Sequence, residues 1–391
     1  MAGRRSENLT SLGEVIGENT SFSSGQPHVQ ITELDLPTEL LEKILSQLTL
    51  RENICASAVC RRWNAVGTSV RVADKAPWLM IFPPPHESGD LYEFYDPSQH
   101  QSYFIEFPEL CDSRFSYTKD CWLLMYNYNT NCVFFFCPYT RELIKLPKLG
   151  LPCHIAAFSA SPKCPSCVIF TLADVSRTVV AISTCRPGAT QWTTVTYQNQ
   201  HQFPSCIWNK IVFCRDIFCC LNRNGFLGVY NPEKGTWVVH PTHHLPNFLK
   251  NSYSHICLRG KFMAEHDGDI FLIHTSGKNP VVFKLDETNK VWVKMENLGG
   301  TTIFVNFLCS YVRTDLLGEM RKRIYFPKVQ FDGKPCVSYS FDNGRYYPQN
   351  PSHDLNGPGP FESIWIEAPE HLSTFLESCC LPDNNNDEED S

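Results

Sequence analysis

Few residues in this chain are spaced for chemistry. Cys164-Pro165-Ser166-Cys167 is a C-x-x-C, with Cys153-His154 upstream of it. Together they could outline half of a tetrahedral zinc site, but the other half needs a second Cys/His pair at finger spacing. No second C-x-x-C lies at that spacing. A redox C-x-x-C needs a strand-then-helix setting, and this one falls between strand-like runs. Cys219-Cys220 and Cys379-Cys380 read as core and tail residues. His243-His244 and His266-Asp267-Gly268-Asp269 hold possible ligands or a general base. Asp-Gly between two apolar runs is hairpin chemistry, so the second of these reads as a turn. No G-x-S-x-G, P-loop, dinucleotide fingerprint or HExxH occurs. The expectation is a chain with no catalytic residues, no metal and no cofactor.

Composition narrows the partners. Of the 391 residues, 19% are charged and 13% aromatic, a balance that favours a packed, β-rich protein. The formal net charge is −7, and five acids (Asp383, Asp387, Glu388, Glu389, Asp390) fall in the last nine residues. The rest of the chain is nearly neutral, so nucleic-acid binding, which needs a basic footprint, is not expected. No apolar run approaches the 18 or so residues of a membrane span, and MAGRRSENLTSLGEV lacks an apolar signal core. Nucleus or cytoplasm is therefore the expected location. The 19 cysteines would be mostly buried thiols there, not disulfides.

The elements that would position these residues are short strands. From Leu79 to about Glu367 the chain repeats one unit: an apolar strand, a turn with Asp, Asn or Pro, and a second strand opening on a bulky residue. The clearest units are 92–110, 132–150, 226–246 and 281–299, with a weaker one at 337–348. Their turns sit at Asp96, Cys137, Asn231, Asp286 and Asp342. A further unit is expected at 186–192, since Trp192, Trp237 and Trp292 recur at spacings of 45 and 55. Asn224-Gly225 marks another turn. Repeats of 41 to 56 residues fit one four-stranded blade each. About six blades are expected, with seven as the alternative count; a pair of β-sandwiches is the competing architecture.

The stretch from Leu34 to Val70 has a different period. Pro37 suits the first position of a helix. Leu40, Leu41, Ile44, Leu45 and Leu48 then form a wide apolar stripe. Thr49 and Glu52 have capping-box spacing, so a second helix should begin near Leu50, with Ile54, Cys55, Ala58 and Val59 as its apolar positions. A third should run from Cys60 to Val66, anchored by Trp63. Three helices in fewer than 40 residues cannot bury this stripe among themselves, and an exposed apolar stripe marks a partner surface. Cys60-Arg61-Arg62 reads as its polar rim. The chain thus divides into a disordered start (1–30), a helical module (31–76), a β domain (77–370) and an acidic, disordered tail (371–391).

Leu36-Pro37, Glu39-Leu40, Ile44-Leu45, Leu48 and the Ser57–Val59–Cys60–Arg61–Trp63 run resemble an F-box. The tract KFMAEHDGDIFLIH…VVFKLDETNKVWVKMENLGG resembles plant F-box proteins with a C-terminal kelch-like propeller, although paired kelch glycines are missing. The resemblance implies an all-α three-helix F-box followed by an all-β, kelch-like propeller. It further implies the non-catalytic substrate-recognition subunit of an SCF-type E3 ubiquitin ligase. In that role Leu36, Pro37, Leu40, Ile44, Leu45, Leu48, Cys60 and Trp63 would meet an SKP-type adaptor, and through it cullin and RING subunits. The propeller would hold an unidentified protein target, through residues the sequence does not name. A propeller enzyme with an axial pocket, and a non-degradative F-box scaffold, are the alternatives. Alanine at both Leu36 and Pro37 is expected to abolish co-purification with the adaptor; unchanged recovery would sink the docking claim.

Overall fold

The structure is a computed structural model. It describes residues 36–45, 48, 50–70, 76–83, 90–127, 129–130, 132–150, 155–200, 203, 211–222, 225–242, 260–275, 279–314, 316, 318–331, 334–347, 363–369 and 375. Two compact units divide the chain, Met1–Arg71 and Val72–Ser391.

The first unit holds helices α1 (Thr38–Leu45), α2 (Leu50–Ser57) and α3 (Arg61–Ser69). Pro37 stands just before α1, and its carbonyl accepts the N–H groups of Leu40 and Leu41, each at 3.0 Å. Helix α3 begins one residue later than expected because Cys60 is its cap, with Sγ accepting the Trp63 N–H at 3.5 Å. It also continues past Val66 to Ser69. Thr49 and the side chain of Glu52, the expected capping box, lie outside the described residues.

The second unit is a six-bladed β-propeller. Blade one contains β1 (Trp78–Ile81), β2 (Leu91–Asp96) and β3 (Gln101–Glu106). Blade two is β4 (Ser113–Lys119), β5 (Trp122–Asn127), β6 (Cys132–Cys137) and β7 (Glu142–Lys145). Blade three is β8 (Ile155–Phe158), β9 (Ile169–Asp174), β10 (Val179–Cys185) and β11 (Thr193–Gln198). Blade four is β12 (Ile211–Cys214), β13 (Ile217–Leu221), β14 (Phe226–Asn231) and β15 (Thr236–Pro241). Blade five is β16 (Gly260–His266), β17 (Asp269–Thr275), β18 (Val281–Asp286) and β19 (Val291–Lys294). Blade six has five strands: β20 (Thr302–Phe304), β21 (Tyr311–Arg313), β22 (Arg323–Phe331), β23 (Lys334–Ser340) and β24 (Arg345–Tyr347), with β20 parallel to β22. The last strand, β25 (Ser363–Ile366), returns to pair antiparallel with β1 and completes blade one.

The expected turns close the outer hairpins. Asp96 pairs with Gln101, Cys137 with Glu142, Asn231 with Thr236 and Asp286 with Val291, each spanning four residues. Side chains template three of them. Asp96 Oδ1 accepts Ser98 N–H at 2.8 Å, Asn231 Oδ1 accepts Lys234 N–H at 2.9 Å, and Asp286 Oδ1 accepts Thr288 N–H at 2.9 Å. Asp342 is displaced: the strand ends at Ser340 and Asp342 lies within the turn. In the unit at 186–192 the strands pair only from Thr184 to Thr193, so the connection is longer. Gly225 turns with φ +86°, whereas Asn224 lies outside the described residues.

The core lies between blades. Phe94, Phe107 and Phe136 join blades one and two, while Phe135, Phe158, Phe170 and Phe218 run through blades two to four. Leu272 and Trp292 belong to the cluster of blades four and five, and Ile303 and Phe326 to that of five and six. Two of the recurring tryptophans are inter-blade ties. Trp192 Nε1 donates to the Pro147 carbonyl and Trp237 Nε1 to Asn199 Oδ1, both at 2.8 Å. Gly228 makes room for Trp237, because a Cβ there would lie 2.0 Å from the indole.

The junction of blades six and one is tied by side chains as well as by strand pairing. Trp365 of β25 is fully buried, donates Nε1 to the Val305 carbonyl at 3.0 Å and packs edge-on to Phe304. Asn306 Nδ2 donates to the Ser363 carbonyl at 2.8 Å. Phe375, inside the segment expected to be tail, is buried among Trp78, Phe94, Tyr103 and Tyr139. Trp365→Ala is expected to cost about 3–5 kcal/mol, read as a fall in the denaturant midpoint. Val238→Ala, at an exposed position, is expected to stay within about 0.5 kcal/mol.

Candidate partner-binding surfaces

The helical unit builds its core from few residues. Leu41, Leu45 and Val66 are buried, and Leu48, Ala56, Trp63 and Val70 pack against them. The apolar stripe of α1 therefore splits. Leu41 and Leu45 point inward, whereas Leu40 is 50% exposed and Ile44 44%. Of the residues expected to meet an adaptor, Pro37, Leu40 and Ile44 are exposed; Leu36, Leu48, Cys60 and Trp63 are half-buried. Leu45 differs from them: at 1% exposure it packs in the core of the helical unit. Val59, expected among the apolar positions of the second helix, lies beyond the end of α2 beside the cap of α3 and is 67% exposed.

Helix α2 departs further from its pattern. Cys55 and Ala58 are exposed, and the side chain of Ile54 lies outside the described residues. Among the described side chains of α2 the buried ones are polar, Asn53 and Ser57. Asn53 Nδ2 donates to the Leu45 carbonyl at 3.1 Å, taking up a carbonyl that the end of α1 leaves without a helical partner. Ser57 Oγ donates to the Asn53 carbonyl at 2.7 Å. Arg62, expected on the polar rim, instead donates Nη2 to the Leu36 carbonyl and reaches Thr38 Oγ1. It ties α3 to the start of α1, fixing the backbone that carries Leu36 and Pro37.

The propeller has a cavity of about 360 Å³ where the inner strands of its blades converge. Its floor is buried: Tyr117, Thr118, Val212, Met263 and Tyr311. Thr118 Oγ1 and Tyr311 Oη lie 3.3 Å apart, and Cys309 Sγ donates to the Thr118 carbonyl at 3.0 Å. Its rim is charged: Lys119, Asp120, Glu265, Asp267, Arg313 and Glu367. Two-residue turns with φ positive at both positions place part of that rim. They are Asp120-Cys121, between Lys119 and Trp122, and Asp267-Gly268, between His266 and Asp269. His266-Asp267-Gly268-Asp269 is thus a hairpin turn, as read, but it also fronts the cavity. The alternation of strands gave no sign of this cavity, because its lining comes from the inner strands of four blades and from Glu367 after β25 of blade one.

The thiols and phenols of the floor are poor nucleophiles. Burial pushes Cys309 up to about 12 and holds Tyr117 and Tyr311 well above the ordinary tyrosine range. At neutral pH these groups stay protonated. His266, on the rim, has Thr314 Oγ1 and Asp267 Oδ2 each at 3.4 Å.

The C-x-x-C is a loop between β8 and β9. Cys164 Sγ lies 3.0 Å from Ser166 Oγ, and Cys167 Sγ donates to the Ala160 carbonyl at 3.0 Å. Among the described residues no three His, Cys, Asp or Glu side chains are grouped to hold a metal ion. Cys153-His154 and His243-His244 lie outside the described residues. The two thiols diverge: the Ser166 hydroxyl lowers Cys164, and burial pushes Cys167 up to about 11.

Two substitutions check these placements. A Cβ on Gly67 would sit 2.3 Å from Ser57 Oγ, so Gly67→Ala is expected to destabilise the helical unit by about 1–3 kcal/mol. Ser57→Ala in the same chain removes that oxygen and should restore part of the loss in a thermal-unfolding series. In native protein at pH 7.5, iodoacetamide should alkylate Cys164 well before Cys167, as mass spectrometry of a time course would show.

Comparison with known proteins joins the two units. A family model described as F-box-like matches residues 34–70, and one described as KIB1-4 beta-propeller matches residues 94–356. F-box/kelch-repeat protein At1g57790 of Arabidopsis thaliana is 38% identical over 344 residues, which cover 86% of this chain and 95% of the relative. F-box protein At4g00893 of the same plant is 36% identical over 352 residues, 88% of each chain. F-box protein At3g56470, also of that plant, is 34% identical over 358 residues, 87% of this chain and 90% of the relative. With three helices, six blades and these matches, the chain belongs to the F-box proteins that carry a KIB1-4 β-propeller.

Proposed function

We propose that this chain is the substrate-recognition subunit of an SCF-type E3 ubiquitin ligase, and that it carries out no chemistry of its own. The helical unit docks on an SKP-type adaptor, and through it on cullin and RING subunits. The propeller holds a protein target, in the nucleus or cytoplasm. The observation that carries this reading is the split stripe of α1. Leu41 and Leu45 satisfy the unit's own core, so Pro37, Leu40 and Ile44 stay exposed with no fold of their own left to stabilise. Apolar side chains held outward on a rigid helix are what a partner's groove takes up.

The contribution to reaction rate is proximity. Tethering a target beside a ubiquitin-charged enzyme gives it a millimolar-scale effective concentration without any catalytic group on this chain. The burial that raises Cys309, Tyr117 and Tyr311 argues against a thiolate or phenolate nucleophile in the polar axial cavity.

Ile44→Asp places a charge in the middle of the exposed stripe without disturbing the core. It is expected to weaken adaptor binding by about thirtyfold or more, the loss of one hot spot. The unfolding midpoint should hold. Adaptor binding equal to that of the unaltered chain would overturn the docking reading.

A further inference from the structure

The axial cavity has a composition that selects its occupant. We propose that it binds a lysine or arginine side chain presented by the target polypeptide. The inference rests on reading the propeller as the target-holding unit, and it names the chemistry that unit recognises.

Charge comes first. Among the described residues two cations line the cavity, and both are engaged with groups of the cavity itself. Arg313 Nη2 lies 3.0 Å from Glu367 Oε1, and its guanidinium rests 5.6 Å from the centre of the Tyr311 ring. The Lys119 ammonium stands 5.4 Å from the centre of the Phe213 ring. With Glu367 matched by Arg313 and His266 counted as neutral, three carboxylates remain among the described rim residues, Asp120, Glu265 and Asp267, against the single charge of Lys119. The rim thus carries excess negative charge at the mouth of a low-dielectric cleft, where field lines concentrate and draw in cations.

Position comes second. Two of the three carboxylates are held by backbone amides, while the Asp267 side chain stands 86% exposed at its turn. Asp120 Oδ2 accepts the Ser161 N–H at 3.1 Å, and Glu265 Oε1 accepts the Gly268 N–H at 3.0 Å. Asp120 and Asp267 sit at left-handed positions, φ +50° for each, in two-residue hairpin turns. Asparagine serves such positions at least as well. Aspartate adds nothing to the turns that asparagine would lack, yet it adds charge to the rim.

The floor is the third observation. Tyr117, Tyr311 and Phe213 supply rings, and Val212 and Met263 apolar walls. Rings beneath and carboxylates around are the two elements of organic-cation recognition. The cavity already shows the pairing, because its own Lys119 and Arg313 lie over its own rings. A volume of about 360 Å³ is at the lower end of small-ligand sites and suits one long side chain with its waters. A metal ion fits less well: among the described residues, no three potential ligands are grouped closely enough to hold one.

The test uses the full-length chain and three fluorescein-labelled glycine-serine octapeptides. They differ only at one central residue: arginine, its neutral isostere citrulline, or glutamate. By fluorescence anisotropy the arginine peptide is expected to bind at least about tenfold more tightly than the citrulline peptide, with glutamate weakest. The preference should shrink as salt rises. The variant D120N/E265Q/D267N keeps every hydrogen-bond acceptor and both left-handed turns, and is expected to erase the preference while unfolding at the same temperature. Equal binding of the three peptides, tighter binding of glutamate, no measurable binding of the arginine peptide, or an undiminished preference in the variant would each overturn the proposal. Adaptor co-purification, measured on the same variant, separates the two claims. A variant that keeps the adaptor and loses the arginine peptide supports this inference, whereas failure of the unaltered chain to bring down adaptor defeats the ligase reading alone.

Discussion

The pairing of β25 with β1 is the interaction on which the propeller depends. A ring of sheets has to be closed by some contact between its two ends. Here the closing strand is four residues long, and its register against β1 runs from Trp78 opposite Ile366 to Ile81 opposite Ser363. Backbone bonds alone would be a weak clasp. Trp365 reinforces it by burying an indole edge-on against the stacked rings of Phe304 and Tyr325 and bonding to blade six through Val305. Closure also brings Glu367, the residue after the strand, to Arg313 on the cavity rim. The contact that completes the ring therefore contributes to the surface available for binding.

The two units use their apolar residues in opposite ways. The propeller turns nearly all its bulky side chains into the gaps between blades, where Phe–Phe contacts such as Phe135 on Phe158 are made edge to face at 4.9 Å. The helical unit is too small for that economy. It commits Leu41, Leu45 and Val66 to itself and leaves Leu40 and Ile44 outside. It substitutes polar bonds where apolar packing falls short, with Asn53 serving the end of α1 and Arg62 its beginning.

What the sequence made legible follows from the range of the forces involved. Strand–turn–strand units were readable because Asp96, Asn231 and Asp286 bond to amides two or three residues away. The helix starts were readable for the same reason, through Pro37 and Cys60. Burial within α2 was not. Asn53 and Ser57 look like surface residues until the carbonyl of Leu45 and the bare Cα of Gly67 are brought against them. Leu45 shows the converse: the apolar stripe it belongs to was expected to face a partner, yet its own side chain turns inward. The cavity was out of reach of any local pattern. Tyr117, Phe213, Glu265 and Arg313 come from four blades, and only ring closure makes them neighbours.

The central claim is a division of labour, with the helices engaging the adaptor and the propeller left free for a target. Hydrogen–deuterium exchange of the full-length chain, with and without a purified SKP-type adaptor, tests it most directly. The account predicts that adaptor slows exchange in residues 36–70 and leaves the strands of all six blades unchanged. Slowed exchange confined to the blades, or none in 36–70 at saturating adaptor, would contradict it.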